Sequence, residues 1–268
     1  MSDRVTVTVA DGVADVRFNR ADKRNALDAD QFRAIADAGE QLKTEPGVRA
    51  VVLSGEGASF CAGLDFSIFG QFAEGSASGG ARIGAVTGSG ITHLAQQVCW
   101  VWQELPMPVI AAVQGHALGG GAQIALGADV RISTADAKWS IREVHWGLIP
   151  DMTGTLVLSQ LVRPDVAKEL TFTARVFDGA EAHTLGIVTR LADDPYAAAH
   201  ALAAEIAGRS PEAVRGAKAL FNRLTTRDAP EQFAAERQVI GSLIGTPNQV
   251  EAISANLENR PARFADPT

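Results

Sequence analysis

The sequence predicts an α/β fold, with a β/α core through about residue 195 and a helical tail beyond it. Three observations carry this expectation. Residues 4–10 and 13–19 alternate apolar and polar side chains around Ala10-Asp-Gly-Val, the pattern of a β-hairpin. The apolar run Val109 to Val113 leads into Gly119-Gly120-Gly121, and a helix-like segment leaves the glycines. Past residue 141 strand signals thin out, and segment after segment opens on proline, which suits a first helical turn.

Taken in order, the hairpin is followed by a helix capped by Asp28 or Asp30. It carries Phe32, Ile35, Ala36 and Leu42 on one side and ends near Thr44-Glu-Pro. Residues 48–54 read as a buried strand. Residues 70–90 are rich in Gly, Ser and Ala and weakly patterned, predicting a mobile loop or loosely held helix. Helical periodicity returns over 91–104 and stops before Pro106 and Pro108. Short strands are expected at 130–133, 138–141 and 187–191. Helices are expected at 164–171, 180–185, 195–207, 211–223, 230–244 and 248–259. No internal repeat and no long low-complexity linker occurs, so the division is a core, 1–195, and a C-terminal helical region, 196–268.

A formal net charge of -7 argues against a nucleic-acid partner, because no net basic charge meets the phosphates. No apolar run approaches the roughly 18 residues of a membrane span. The start, Met-Ser-Asp-Arg-Val-Thr-Val, lacks an apolar signal core, and Asp-Pro-Thr is no retention or peroxisomal signal. Cys61 and Cys99 make no disulfide framework, so a cytoplasmic setting is expected. The spacing of His93, His116, His145, His183 and His200 gives no metal set, and no metal is expected. Phosphate-loop, dinucleotide and serine-hydrolase motifs are all missing.

Two glycine turns, Ala62-Gly63-Leu64 and Gly119-Gly120-Gly121, sit at comparable strand ends. Glycine lets the bare backbone approach a ligand, and a helix starting at Gly120 points its free amides into that space. A pair of such amides can grip one oxygen that gains negative charge. Downstream, Arg142-Glu-Val-His-Trp-Gly-Leu-Ile-Pro-Asp151 puts two carboxylates, Glu143 and Asp151, in an apolar stretch. Such acids acquire raised pKa values and exchange protons with carbon acids. The competing account pairs Glu143 with Arg142 or Arg131 and makes Asp151 the cap of a helix beginning at Met152. Arg142 and Lys138 can steer anionic groups or simply face solvent.

Taken together, Asn19-Arg-Ala-Asp-Lys-Arg-Asn-Ala-Leu27, Ser59-Phe-Cys-Ala-Gly-Leu-Asp65, the segment 108–129 and Glu143 through Thr155 resemble the crotonase, or enoyl-CoA hydratase/isomerase, superfamily. The resemblance spans essentially the whole chain. It implies a crotonase-like spiral of ββα units whose C-terminal helices build a homotrimer or dimer of trimers. It implies an acyl-CoA thioester substrate and no separate cofactor, CoA being part of the substrate. The amides of Leu64 and Gly120 would form the oxyanion hole. Lys23, Arg24 and Ala26 would lie near the nucleotide, and the turn from Ala62 to Asp65 would receive the adenine and pantetheine.

The resemblance also separates branches. Hydratases carry two glutamates; the second falls on Glu143, but Gln123 stands where the first is expected. Gln123 can hydrogen-bond water and cannot take its proton. Asp151 stands where Δ3,5-Δ2,4-dienoyl-CoA isomerases carry a catalytic aspartate. Lys168-Glu-Leu-Thr-Phe-Thr-Ala-Arg175 also resembles that branch, which normally has a third acid at Gln123. The expected activity is therefore a dienoyl-CoA double-bond shift. The alternatives are an enoyl-CoA hydratase with Gln123 as water holder, or a non-catalytic acyl-CoA-binding homologue. Phe66, Phe69, Phe72, Trp100, Trp139 and Trp146 are candidates to shape the acyl pocket.

Overall fold

The computed structural model describes residues 3–68 and 90–265. Its first two strands, β1 (Val5–Ala10) and β2 (Val13–Phe18), pair antiparallel across a two-residue turn. That turn, Asp11-Gly12, has positive φ at both residues, the geometry that matches the twist of a hairpin. Helix α1 (Ala29–Thr44) follows, and of the two capping candidates it is Asp28 that accepts from Gln31 N. Next come β3 (Ala50–Gly55), α2 (Leu94–Glu104), β4 (Val109–Val113), β5 (His116–Leu118) and α3 (Gly120–Gly127). The Gly/Ser/Ala-rich stretch before α2, with Phe69 and Phe72, lies outside the described residues.

Strands β6 (Val130–Ser133) and β7 (Lys138–Ser140) precede α4 (Gly154–Leu161), α5 (Pro164–Thr173), β8 (Phe177–Asp178), α6 (Gly179–Leu185) and β9 (Arg190–Leu191). The chain then runs through α7 (Pro195–Ala207), α8 (Pro211–Thr225), α9 (Ala229–Leu243) and α10 (Pro247–Leu257). The main sheet has the order β1-β2-β3-β4-β6-β9, parallel from β2 onward. A second sheet, β5-β7-β8, stands beside it. The alternation of a strand explains the layers. Val51 and Leu53 of β3 and Val109, Ala111 and Val113 of β4 face α1, α2 and α3. Ala50, Val52, Ile110 and Ala112 face the other way, onto Ala199, Ala203 and Ala207 of α7. Central strands covered on both faces must be apolar throughout, as these are.

Three local expectations are corrected. The strand expected over 187–191 shortens to β9. The two short strands β5 and β8 were not foreseen. The helix expected at Met152 begins instead at Gly154, so Asp151 is not its cap. Among the described residues no helix is long and apolar enough to cross a membrane.

Candidate active site

Backbone pairing brings the two glycine turns together. Cys61 bridges to Ala117, with Cys61 N donating to His116 O at 2.8 Å and Leu118 N to Cys61 O at 3.2 Å. Leu64 bridges to Leu27, with Leu27 N donating to Gly63 O at 2.8 Å and Asp65 N to Leu27 O at 3.0 Å. Gly63 has φ +89°, and a Cβ there would lie 2.5 Å from Leu118 O and 3.9 Å from Gly120 N. The turns therefore abut backbone to backbone. Gly119 takes φ 50°, ψ -120°, and turns the chain so that α3 starts at Gly120. Leu64 N and Gly120 N donate in none of the turn and loop hydrogen bonds among the described residues. For Gly120 that is the ordinary surplus of a helix start.

The carboxyl of Glu143 packs against this turn. Glu143 opens the 3-10 turn Glu143–Trp146 after β7, and a Cβ on Gly119 would lie 3.3 Å from its Oε1. Gln123 of α3 donates through Nε2 to Glu143 Oε1 at 2.6 Å. The Gln123 carbonyl accepts from Met152 N at 2.9 Å and Gly154 N at 3.0 Å, which sets the start of α4. Glu143 Oε2 is buried and has no hydrogen-bond partner among the described residues. Burial pushes the Glu143 carboxyl up to about 7, with the backbone amides and Gln123 holding it partly down. Asp151 is half-buried, and its carboxyl is pushed up to about 8 by burial and then by the charges of Glu143 and Glu236.

Neither arginine neutralises Glu143. Arg142 donates to Ala174 O at 3.0 Å and lies 3.3 Å from His145 Nε2. The buried Arg131 donates to Ile187 O at 2.6 Å and Ala128 O at 2.5 Å, tying β6 to the loops around it.

The remaining site candidates gather along one rim. Lys23 and Arg24 are exposed, Ala26 is partly buried, and Arg24 O accepts from Ala62 N at 2.9 Å. Asn25, fully buried, donates to Ser59 O at 2.8 Å and Glu56 O at 3.0 Å and so fixes this rim. The His116 ring is 2.9 Å from Ser59 Oγ, and burial with the charges of Arg24 and Lys138 keeps it neutral-leaning. Asp65 is committed locally: Arg20 Nη1 lies 2.5 Å from its Oδ2, and Ser67 N and Oγ donate to Oδ1. Burial works to raise Asp65, but Ser67 and Arg20 outweigh it and hold the carboxyl below the usual range.

On the apolar side Leu64, Ile68, Trp146, Leu148 and Ile253 pack together, with Phe66 edge-on to Trp146 at 5.9 Å. Helix α10 closes this wall, Asn256 Nδ2 donating to His145 O at 2.7 Å. Two aromatic candidates lie elsewhere. Trp139 is core, donating to Ser133 Oγ at 3.2 Å, and Trp100 packs on Phe233 at 4.8 Å. Sequence reasoning missed two residues here. Asn25 was quoted in a motif without a role. Glu236 sits in the buried stripe Ala229, Phe233, Glu236, Ile240 of α9, and a charge on an apolar helical face was the available signal.

Two abutting glycine turns, one of them a helix start, beside two high-pKa carboxyls are suited to anionic oxygen and proton transfer. Comparison with known proteins agrees with that class. Residues 8–267 match the family described as enoyl-CoA hydratase/isomerase. The chain is 33% identical over 250 residues to a crotonyl-CoA hydratase of Syntrophomonas wolfei, covering 92% of each. It is 32% identical over 255 residues to a mitochondrial Delta(3,5)-Delta(2,4)-dienoyl-CoA isomerase of Mus musculus, covering 92% of this chain and 77% of that one. An enoyl-CoA hydratase/isomerase structure from Pseudoalteromonas atlantica superposes with TM-score 0.85 at 26% identity, covering 98% of this chain and 100% of that one. The chain belongs to the enoyl-CoA hydratase/isomerase family and has the crotonase fold.

Proposed function

We propose that the protein shifts the double bonds of a 3,5-dienoyl-CoA to the 2,4 positions. The observation that carries this reading is the pair of the buried Glu143 and the half-buried Asp151, raised to about 7 and about 8, beside the abutting glycine turns. Near neutral pH Glu143 is the more acidic member and takes the proton from C2. Leu64 N and Gly120 N hold the dienolate oxygen, each donor typically contributing roughly 3 to 4 kcal/mol. Asp151 delivers its proton to C6, so the C3 and C5 double bonds become C2 and C4. The proton on Glu143 then returns to Asp151 through solvent. Lys23, Arg24 and Ala26 would hold the nucleotide, and Ala62 with the Asp65 backbone the pantetheine; no separate cofactor enters. The similarity to the mouse protein named a dienoyl-CoA isomerase supports the reading.

Hydration is the second reading, favoured by the similarity to the Syntrophomonas crotonyl-CoA hydratase. Against it, both ends of the Gln123 amide are already engaged, leaving Glu143 to activate water alone. A panel of 2-enoyl-, 3-enoyl- and 3,5-dienoyl-CoA assayed in deuterated water decides between them. Growth of conjugated-dienoyl absorbance with deuterium entering the product supports isomerisation. Water addition to the 2-enoyl substrate without dienoyl turnover rejects it. Assembly as a homotrimer or dimer of trimers, in the cytoplasm, belongs to the same proposal and is tested by sedimentation and fractionation.

A further inference from the structure

We infer that Glu236 of α9 is a positioning residue for Asp151, fastening the turn that carries this acid and setting a negative charge behind it. The inference rests on the proton-shuttle reading above. Glu236 is only 2% exposed. Its Oε1 accepts from Thr155 Oγ1 at 2.5 Å, and its Oε2 from Thr153 N at 3.1 Å and Gln96 Nε2 at 3.0 Å. Burial raises the Glu236 carboxyl, and the bonds from Thr155, Gln96 and Thr153, every one a donor, work against it in favour of the carboxylate.

Thr153 and Thr155 follow Asp151 by two and four residues, and Thr153 holds a left-handed φ of 69°. A non-glycine residue in that conformation persists only where surroundings fix it. Glu236 does so by taking its amide. The clamp is itself braced: Gln232 Nε2 donates to Thr155 Oγ1 at 2.7 Å, and Arg237 Nη1 to Gln96 Oε1 at 2.8 Å. Arg237 thus reaches Glu236 through a neutral amide, and among the described residues no cation pairs with the carboxylate directly.

The groups around the two acids leave few charges. Asp151 interacts with Glu143, Glu236 and Cys99. Burial raises the Cys99 thiol, so it stays neutral. His93, whose Nδ1 accepts from Gln96 N, is held down to about 4 by burial and then by Arg237, so it too is neutral. Glu143 and Glu236 are the charges that oppose ionisation of Asp151, with Arg237 at one remove.

The test is Glu236→Gln, read by the pH profile of kcat and by infrared titration of the carboxyl bands. With the negative charge removed, Asp151 loses its proton more readily. The alkaline limb and the Asp151 band move to lower pH by roughly one unit, and kcat at pH 8 falls about fivefold. Thr155→Val, which removes one clamp donor and keeps the charge, lowers kcat a few-fold with the limb unmoved. Should Glu236→Gln not fold, the infrared titration of the wild type decides: the Glu236 carboxylate band is complete before the Asp151 band appears, and a Glu236 still protonated there overturns the inference. Loss of kcat with an unmoved limb and unmoved bands overturns the inference. If the wild type turns over no dienoyl-CoA, the shuttle reading fails by itself, and the infrared shift still decides whether Glu236 and Asp151 are coupled.

Discussion

The site has two sides built in different ways. The glycine-turn side is made of backbone from neighbouring strand ends, held by the bridges Cys61–Ala117 and Leu27–Leu64. The acid side is assembled from segments far apart in sequence: Gln123, Glu143 and Asp151, backed by Glu236 and Gln96. The donors are fixed by chain geometry, which varies little with environment. The acids work only through their surroundings, since burial and neighbouring charge set when each holds a proton. A fold can thus keep one side constant while the chemistry of the other is retuned.

That contrast can be broken from either side. Asp151→Asn removes the proposed proton donor and leaves the glycine turns intact. Isomerase kcat is expected to fall on the order of 10³-fold, while acyl-CoA binding measured by calorimetry changes little. Normal turnover by this variant would reject the role given to Asp151.

Gly63→Ala attacks the opposite side. At φ +89°, its Cβ would lie 2.5 Å from the backbone oxygen of Leu118, so the turn that carries the proposed Leu64 donor has to move. A drop of about 10²-fold in kcat with little change in the pH profile is expected. A shifted profile at full rate would mean that the two sides are not separable.

In the wild type, kcat should rise as pH passes about 7, where Glu143 loses its proton, and fall past about 8, where Asp151 loses its own. The two acids interact, so the apparent values belong to the pair. A rate flat from pH 6 to 9 would show that neither ionisation gates the reaction.

The smallest effect is on stability. Asp151 holds its proton more tightly folded than unfolded, so this group favours the folded state at low pH and loses that contribution as pH rises from about 4 through about 8. Asp151→Asn should melt higher than wild type at pH 9, by about 2 to 4 °C, and not at pH 4. Equal melting temperatures at pH 9 would show that burial of this acid costs the fold nothing.

The same division explains what could be read from the sequence. The hairpin, the glycine turns and the proline-led helices α5, α7, α8 and α10 depend on local backbone chemistry, and each is written in adjacent residues. Strands β5 and β8 are three and two residues long, too short to show alternation. The start of α4 shifted because the Gln123 carbonyl, some thirty residues earlier in the chain, takes the amides of Met152 and Gly154. Glu143 and Asp151 were visible as acids in apolar sequence. What keeps Asp151 high includes a charge from α9, whose proximity no local pattern records.

Gln123 carries one further consequence. Two peptide N–H groups demand that its oxygen face Met152 and Gly154, so its nitrogen must face Glu143. Exchanging that nitrogen for oxygen, as in Gln123→Glu, would set two carboxyls at hydrogen-bond distance with one hydrogen to divide between them. A one-atom difference thus separates a lone base from a proton-sharing dyad, and position 123 becomes the place where the repertoire of this scaffold is decided.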